Sequence, residues 1–368
     1  MTAGNVLGIR RETKNRWERR APLAPGHVAQ LVREHGVRIL VEPSPLRVFP
    51  DQDYVAAGAE LAEDLSPCRV ILGVKEIPPA ALLPRRTYLY FAHVIKGQPE
   101  NMPALARHLE LGSTLVDYER VTDRQGRRLI FFSRHAGYAG AIDALWALGQ
   151  RLMAEGLRTP LAEVRRALAY SNLDEALRHL TEVGDRIRRI GLPAGVGPLV
   201  LGVMGRGSVA QGVWEVISRL PLERVEPEEL AQLAAEADRP PNLVYGVTFD
   251  RAHRLERAGG GFDAAELADH PERYRSIMDR WLPSLTVLFN AVYWEPGQPV
   301  LVSREQLAAL LGRGRTRLRV IADITCDIGG SVEATVRATD PGDPVYVYDP
   351  FTGDTAAGVE GRGVVVLA

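Results

Sequence analysis

The chain has 368 residues, 46% of them hydrophobic and 25% charged, with 45 Lys+Arg against 46 Asp+Glu. That length suggests about two domains, and the near-zero balance excludes a global basic field for nucleic acid or an anionic membrane. Two cysteines, Cys68 and Cys326, exclude a disulfide framework and a four-cysteine zinc site. No charge-free run of about 18 apolar residues predicts a membrane span, and Met1–Arg20 turns polar too soon for a signal peptide, so a cytoplasmic enzyme-sized protein is expected.

Short runs rich in Val, Ile, Leu and aromatics predict strands at Val6–Ile9, Val37–Val41, Val70–Val74, Tyr88–Val94, Thr114–Tyr118 and Leu129–Phe132. Amphipathic runs such as His27–Glu34 and Met102–Leu109 lie between them. This alternation predicts a mostly parallel sheet covered by helices. Helical spacing then governs Ala141–Glu155, Leu161–Ala169 and Leu173–Arg189. Glycines and prolines from Gly191 to Pro198 end it and place the main boundary. A second strand–helix series follows, with strands at Leu199–Met204, Leu243–Phe249, Val287–Trp294 and Leu318–Ile324. Val345–Tyr348 and Val364–Ala368 close the chain.

The strand ending at Met204 runs into Gly205-Arg206-Gly207-Ser208-Val209-Ala210 and then a helical run, Val213–Leu220. In this context Gly205 permits a tight turn, Gly207 lets backbone approach a pyrophosphate, and Ala210 lets the helix pack closely. Amides at the helix start then face the phosphates. The ribose-binding acid of such loops comes ~20 residues later. Here the next predicted strand ends only at Phe249, after an insertion Leu222–Asn242. Asp250 at its end suits a ribose diol, whereas Arg251 and Arg254 suit a 2′-phosphate, so NAD and NADP both stay open.

Charged residues also gather at predicted strand ends of the first series. Lys75 and Glu76 end Val70–Val74, His93 lies in the run Tyr88–Ile95, and Glu119 follows Thr114–Tyr118. Arg128 opens Leu129–Phe132, and Arg20 precedes Pro22 and Pro25. Singly, each reads as a solvated end or a core histidine. Together, the lysine and histidine could exchange protons near neutral pH. The arginines could hold carboxylates bidentately and the glutamates a cationic amine. Gly-x-Ser-x-Gly is absent and the eight histidines show no metal spacing, so neither a nucleophilic triad nor a metal is expected.

These residues sit in longer motifs: Gly8-Ile-Arg-Arg-Glu-Thr-Lys-Asn-Arg-Trp-Glu-Arg-Arg-Ala-Pro-Leu-Ala-Pro25, Gly73-Val-Lys-Glu76, Phe91-Ala-His-Val-Ile-Lys-Gly97, Ala136-Gly-Tyr-Ala-Gly-Ala-Ile-Asp143 and Cys326-Asp-Ile-Gly-Gly-Ser-Val-Glu333. Along nearly the whole chain they resemble lysine–2-oxoglutarate reductases, the saccharopine-producing half of the bifunctional aminoadipate semialdehyde synthases. Lysine-forming saccharopine dehydrogenases and, further off, alanine dehydrogenases are relatives of that family.

The resemblance implies an α/β protein of two Rossmann-like domains with mostly parallel sheets and an active-site cleft between them. It implies NAD(P)H as cofactor, amino-acid and 2-keto-acid substrates, and no metal. Lys75 and His93 match the family's acid–base groups, Arg20 and Arg128 its carboxylate-holding arginines, and Glu76 and Glu119 two carboxylates that tune the site. Asp327 matches an aspartate beside the nicotinamide. Gly205 to Val209 match the pyrophosphate loop, and Asn290 lies in the strand bordering the nicotinamide.

The expected divisions are a substrate domain over 1–140, a helical connection over 141–196, an NAD(P)-binding domain over 197–335 and C-terminal strands over 336–368. The last stretch stops short of the family's next segment, which leaves open a truncation, a homo-oligomer or a partner that supplies the rest. Two other functions stay open: an imine or opine-type reductase for another amine, and a nucleotide- or amino-acid-binding regulatory subunit.

Overall fold

In the computed structural model the chain divides into two compact units, Met1–Phe131 and Phe132–Ala368. Residues 6–235, 241–314 and 316–368 are described. Residues 1–5 of the N-terminal run and 236–240 of the expected insertion therefore lie outside the described residues.

The first unit is built on a six-stranded, all-parallel sheet. Its strands are β1 (Val6–Ile9), β2 (Arg38–Val41), β3 (Glu60–Leu61), β4 (Val70–Leu72), β5 (Thr87–Tyr90) and β6 (Thr114–Asp117), in the order β3-β2-β1-β4-β5-β6. The chain winds outward from β1 to β3, then returns and winds the other way from β4 to β6. The order thus reverses between β1 and β4, where open parallel sheets leave a crevice at their carboxyl ends. Val28, from helix Pro25–His35, packs with Ile9, Ile39 and Val41 against one face. Ile71, Tyr88 and Tyr90 fill the other.

Leu129–Phe132 is not a strand. The chain there makes a single bridge, Thr122 to Arg128, and Leu129, Phe131 and Phe132 are exposed. Apolar residues alone do not hold an extended segment that finds no neighbouring ladder.

His108, on helix Met102–Glu110, is buried with its Nε2 3.0 Å from the Tyr90 hydroxyl. Burial holds this imidazole below the ordinary histidine value. The unfolded chain therefore takes up the proton first as pH falls. Stability contributed here is present above pH about 6.5 and is lost as pH drops from there toward the lowered folded value. Denaturant midpoints between pH 7.5 and 5.5 should fall, and His108→Gln should flatten that slope. An unchanged slope would show that the histidine is not buried neutral.

The second unit carries an eight-stranded mixed sheet and a small hairpin. Its strands are β7 (Leu199–Met204), β8 (Leu222–Val225), β9 (Val244–Phe249), β10 (Leu255–Arg257), β11 (Tyr274–Ser276), β12 (Val287–Asn290), β13 (Val320–Asp323), β14 (Tyr346–Tyr348), β15 (Thr355–Ala357) and β16 (Val364–Leu367). The order is β15-β14-β16-β13-β12-β7-β9-β8, with β14 antiparallel to both its neighbours and the other pairs parallel. β10 and β11 form the hairpin. β7 is fully buried along its length, as a central parallel strand covered on both faces must be.

The part expected to be an insertion opens with an edge strand, β8. Its middle residues, Glu223 and Arg224, are exposed, so it has no apolar run to mark it. Strand β9 then enters between β8 and β7, which sets Phe249 opposite Met204 and brings Asp250 beside the glycine loop.

Helix Ser133–Ala154 starts eight residues before the expected Ala141 and carries the chain through the expected 140/141 division. Its first turns, Ser133-Arg-His-Ala-Gly-Tyr-Ala-Gly140, look unhelical because glycine is a poor helix former. Packing supplies the reason. A Cβ on Gly137 would collide with the Val209 carbonyl, and one on Gly212 with the Arg134 carbonyl, so this helix and Ser208–Ile217 cross in backbone contact.

Helix Leu173–Ile190 is found as expected, opened by Asn172, whose side chain accepts the Glu175 amide. The stretch Leu161–Ala169, by contrast, forms only two short turns, Pro160–Glu163 and Ala167–Ala169. There, side chains take the backbone amides: Asp143 accepts from Ala167 and the Tyr170 hydroxyl from Arg165. No helix among the described residues is long and apolar enough to cross a membrane.

Candidate active site

The residues that point to chemistry in the first unit come together just past the carboxyl ends of its strands. β4 ends at Leu72, not Val74, so Lys75 and Glu76 stand beyond the ladder on an irregular segment. β5 ends at Tyr90, not Val94, and His93 sits in the turn that follows, with φ 55°. That left-handed conformation is uncommon for a residue with a Cβ and is found where the surroundings enforce it. Phe91 stacks on the imidazole, with ring centroids 6.1 Å apart. Glu119 lies in a single turn after β6, where the Asp117 side chain accepts its amide.

These turns converge. Lys75 Nζ lies 3.4 Å from His93 Nε2 and 3.9 Å from Glu76 Oε2. On the other side of the ring, His93 Nδ1 lies 3.0 Å from Glu119 Oε2, within ion-pair range though not aligned as a hydrogen bond. Glu119 also meets Arg128 Nη1 at 3.5 Å. Glu76 Oε1 stands 3.7 Å from His93 Nε2, so the imidazole has a carboxylate on each side. The side chains of Lys75, Glu76 and His93 are each about a fifth to a quarter exposed, so small molecules can reach them.

Arg20 joins the same group through Glu18, which receives both its Nε (2.8 Å) and Nη2 (2.5 Å). Burial pushes the Glu18 carboxyl up, but the Arg20 hydrogen bonds and charge outweigh it and hold the group below the ordinary range. Lys14 reaches Glu76 at 3.4 Å. Glu12, Lys14 and Glu18 had no assigned part in the sequence reading. They lie in an irregular loop between β1 and helix Pro25–His35, where no periodicity shows which side chains turn inward. The only sequence signal was their place in the opening motif.

In the second unit, the order of strands reverses between β7 and β12, and the glycine loop lies there. Gly205 has φ 100°, and a Cβ on it would come 2.9 Å from the Ala291 carbonyl oxygen after β12. Gly207 is the N-cap of helix Ser208–Ile217 and has open space where a Cβ would project. The first-turn amides of a helix have no intrahelical partner, so Ser208 and Val209 present donors beside that space. This is a cradle suited to a pyrophosphate. Arg206 clasps Asp250 in two bonds of 2.5 and 2.8 Å. Arg251 and Arg254 line a cleft with Val292 and Tyr293. Arg254 is buried, and burial together with Arg251 brings its guanidinium down to about 10.

Asn290, expected to border the nicotinamide, ends β12. It has no exposed surface, and its Nδ2 donates to Asp323 Oδ1 and Ser331 Oγ at 2.8 Å each. Its side-chain nitrogen ties β12 to β13, while its buried Oδ1 accepts no hydrogen bond among the described residues. Thr325 and Thr335 also donate to Asp323, so these bonds fix the loop after β13 that carries Asp327. Asp327 itself is exposed on that loop, next to Cys326 with φ 58°. Among the described residues, no group of His, Cys, Asp and Glu could hold a metal ion.

Residues 8–139 match the family described as "Alanine dehydrogenase/PNT, N-terminal domain". Over 99% of its length the chain is 37% identical to alpha-aminoadipic semialdehyde synthase of Bos taurus and 38% identical to that of Arabidopsis thaliana. The chain is a homologue of these synthases. It spans 40% and 36%, respectively, of the lengths of those two relatives. A further homologue is saccharopine dehydrogenase [NAD(+), L-lysine-forming] of Yarrowia lipolytica, 28% identical over 95% of this chain and 79% of that protein. The fold matches a solved L-alanine dehydrogenase with a TM-score of 0.58 at 21% identity, over 99% of this chain and 82% of that one. A transhydrogenase from Sinorhizobium meliloti gives 0.54 at 16%, over 99% and 85%. The two-unit α/β architecture expected of this homologue is therefore the one seen.

Proposed function

We propose that the protein interconverts L-lysine plus 2-oxoglutarate with saccharopine, using a nicotinamide cofactor. The observation that carries this reading is His93 set between Lys75 and Glu119, with Arg20 and Arg128 in the same group. The homology to the synthases and to the lysine-forming dehydrogenase supports it.

The amine nitrogen attacks the keto carbon while a proton moves to the oxygen; water then leaves and an imine remains. His93 serves proton movement at the oxygen during water loss, and Lys75 serves the amine nitrogen. Arg20 and Arg128 hold carboxylates through their planar forks, and Glu76 and Glu119 offset the cationic amine. Asp327 would sit beside the nicotinamide. The Gly205–Val209 loop would hold the pyrophosphate of a nicotinamide cofactor, which would supply the hydride for reduction of the imine.

Arg20→Lys and Arg128→Lys keep the charge but lose the fork. Each should raise the KM of a carboxylate substrate with little change in cofactor KM; the reverse pattern would show the arginines misplaced.

We read the ribose end of the cofactor site as favouring NADPH. Asp250 is engaged by Arg206, and Arg251 with the buried Arg254 leaves positive charge in excess there. Arg251→Ala should raise the KM for NADPH more than that for NADH. An equal effect on both would contradict a 2′-phosphate contact.

Purified protein with NAD(P)H, 2-oxoglutarate and a panel of amines tests the whole reading. Turnover with lysine supports it. Turnover with another amine alone points to an opine-type reductase, and cofactor binding without turnover points to a regulatory subunit.

A further inference from the structure

The crevice where the first sheet reverses its order holds a buried carboxylate, Glu12, just past the end of β1. Both of its oxygens are taken by backbone amides. Its Oε1 accepts the backbone amide of Val74 at 2.8 Å, and its Oε2 accepts that of Lys75 at 3.0 Å. Beyond Leu72 the β4–β5 ladder continues only through Gly73 N–H to Leu89 and Phe91 N–H to Val74. The amides of Val74 and Lys75 turn the other way, toward β1. A buried amide without an acceptor is costly, so this segment needs the carboxylate to keep its course.

We propose that Glu12 is a positioning residue for Lys75: by clasping two consecutive amides it fixes the backbone from which the Lys75 ammonium reaches His93. This rests on the reading of Lys75 as a proton-transfer group. With both oxygens on the Val74 and Lys75 amides, Glu12 acts through the Lys75 backbone. Glu12→Gln preserves shape but sets an NH2 group against one of the two amides, donor to donor. A displacement of ~1 Å at a reacting group can cost about 10²-fold in rate.

The test is a double-mutant cycle on the full chain, read as kcat, with cofactor affinity by titration as the check on folding. Glu12→Gln should lower kcat roughly tenfold or more while cofactor affinity holds. In a Lys75→Met background the same change should leave kcat unaltered, because there is no ammonium left to misplace. An equal loss in both backgrounds, or no loss in either, overturns the proposal. Should Glu12→Gln not fold, Glu12→Asp, whose shorter arm reaches one amide, carries the same cycle. Failure of the underlying reading is seen separately: Lys75→Met alone would then keep wild-type kcat, and this proposal would fall with it.

Discussion

Lys75→Met should lower kcat by about 10²–10⁴-fold, the range that general acid–base help contributes, and His93→Gln should do likewise. Both groups stand past neighbouring strand ends, 3.4 Å apart. Methionine keeps the length of lysine but cannot carry a proton. Glutamine keeps some of the polar reach of histidine but cannot act as a base. Both residues belong to the first unit and the glycine loop to the second, so cofactor affinity should stay as it was. The two losses should also fail to multiply, because the groups are in direct contact and each depends on the other. The pH–rate profile should lose a limb in each variant. A double variant with near-wild-type kcat and an unchanged profile would return both residues to a bland reading: a solvated strand end and a turn histidine.

Gly207→Val should weaken nicotinamide cofactor binding roughly ten- to a hundredfold, the effect of about 1–3 kcal/mol of steric conflict. Gly207 has φ −71° and ψ −175°, an extended conformation open to any residue, and nothing stands within 4 Å of where its Cβ would lie. The fold therefore does not require glycine here, and the variant should keep its thermal midpoint. The space the valine fills is the space a pyrophosphate would use beside the Ser208 and Val209 amides. Gly205 is the contrasting case, because its positive φ and the nearby Ala291 carbonyl make any substitution a folding defect. A folded Gly207→Val protein with unchanged cofactor affinity would remove the loop from the binding site.

Much of this arrangement was legible in the residues. Strands β1 and β7 fall where their apolar runs place them, since a parallel strand covered on both faces leaves few alternatives. The glycine loop was legible because its chemistry is local to six residues. Asp250 was located by the same logic, although the strand that intervenes in sequence, β8, was hidden by its exposed polar middle.

Other features depend on partners distant in the chain. The helix beginning at Ser133 is written in glycines that only a crossing helix explains. The end of β5 and the left-handed turn at His93 are set by its surroundings rather than by propensity. Asn290 reads as a ligand residue by its motif, and its bonds to Asp323 and Ser331 show only in the fold. Glu12 is an unremarked acid in a charged opening until the fold brings it to Val74 and Lys75, 62 and 63 residues on.

The most direct measurement is isotopic. The protein is incubated with L-lysine, 2-oxoglutarate and NADPH deuterated at the transferable C4 position, and the products are read by mass spectrometry. The proposed reaction predicts saccharopine with one deuterium, on the carbon that was the keto carbon of 2-oxoglutarate, and its loss in Lys75→Met. Cofactor that binds and stays unoxidised, with no labelled secondary amine formed, would contradict the account.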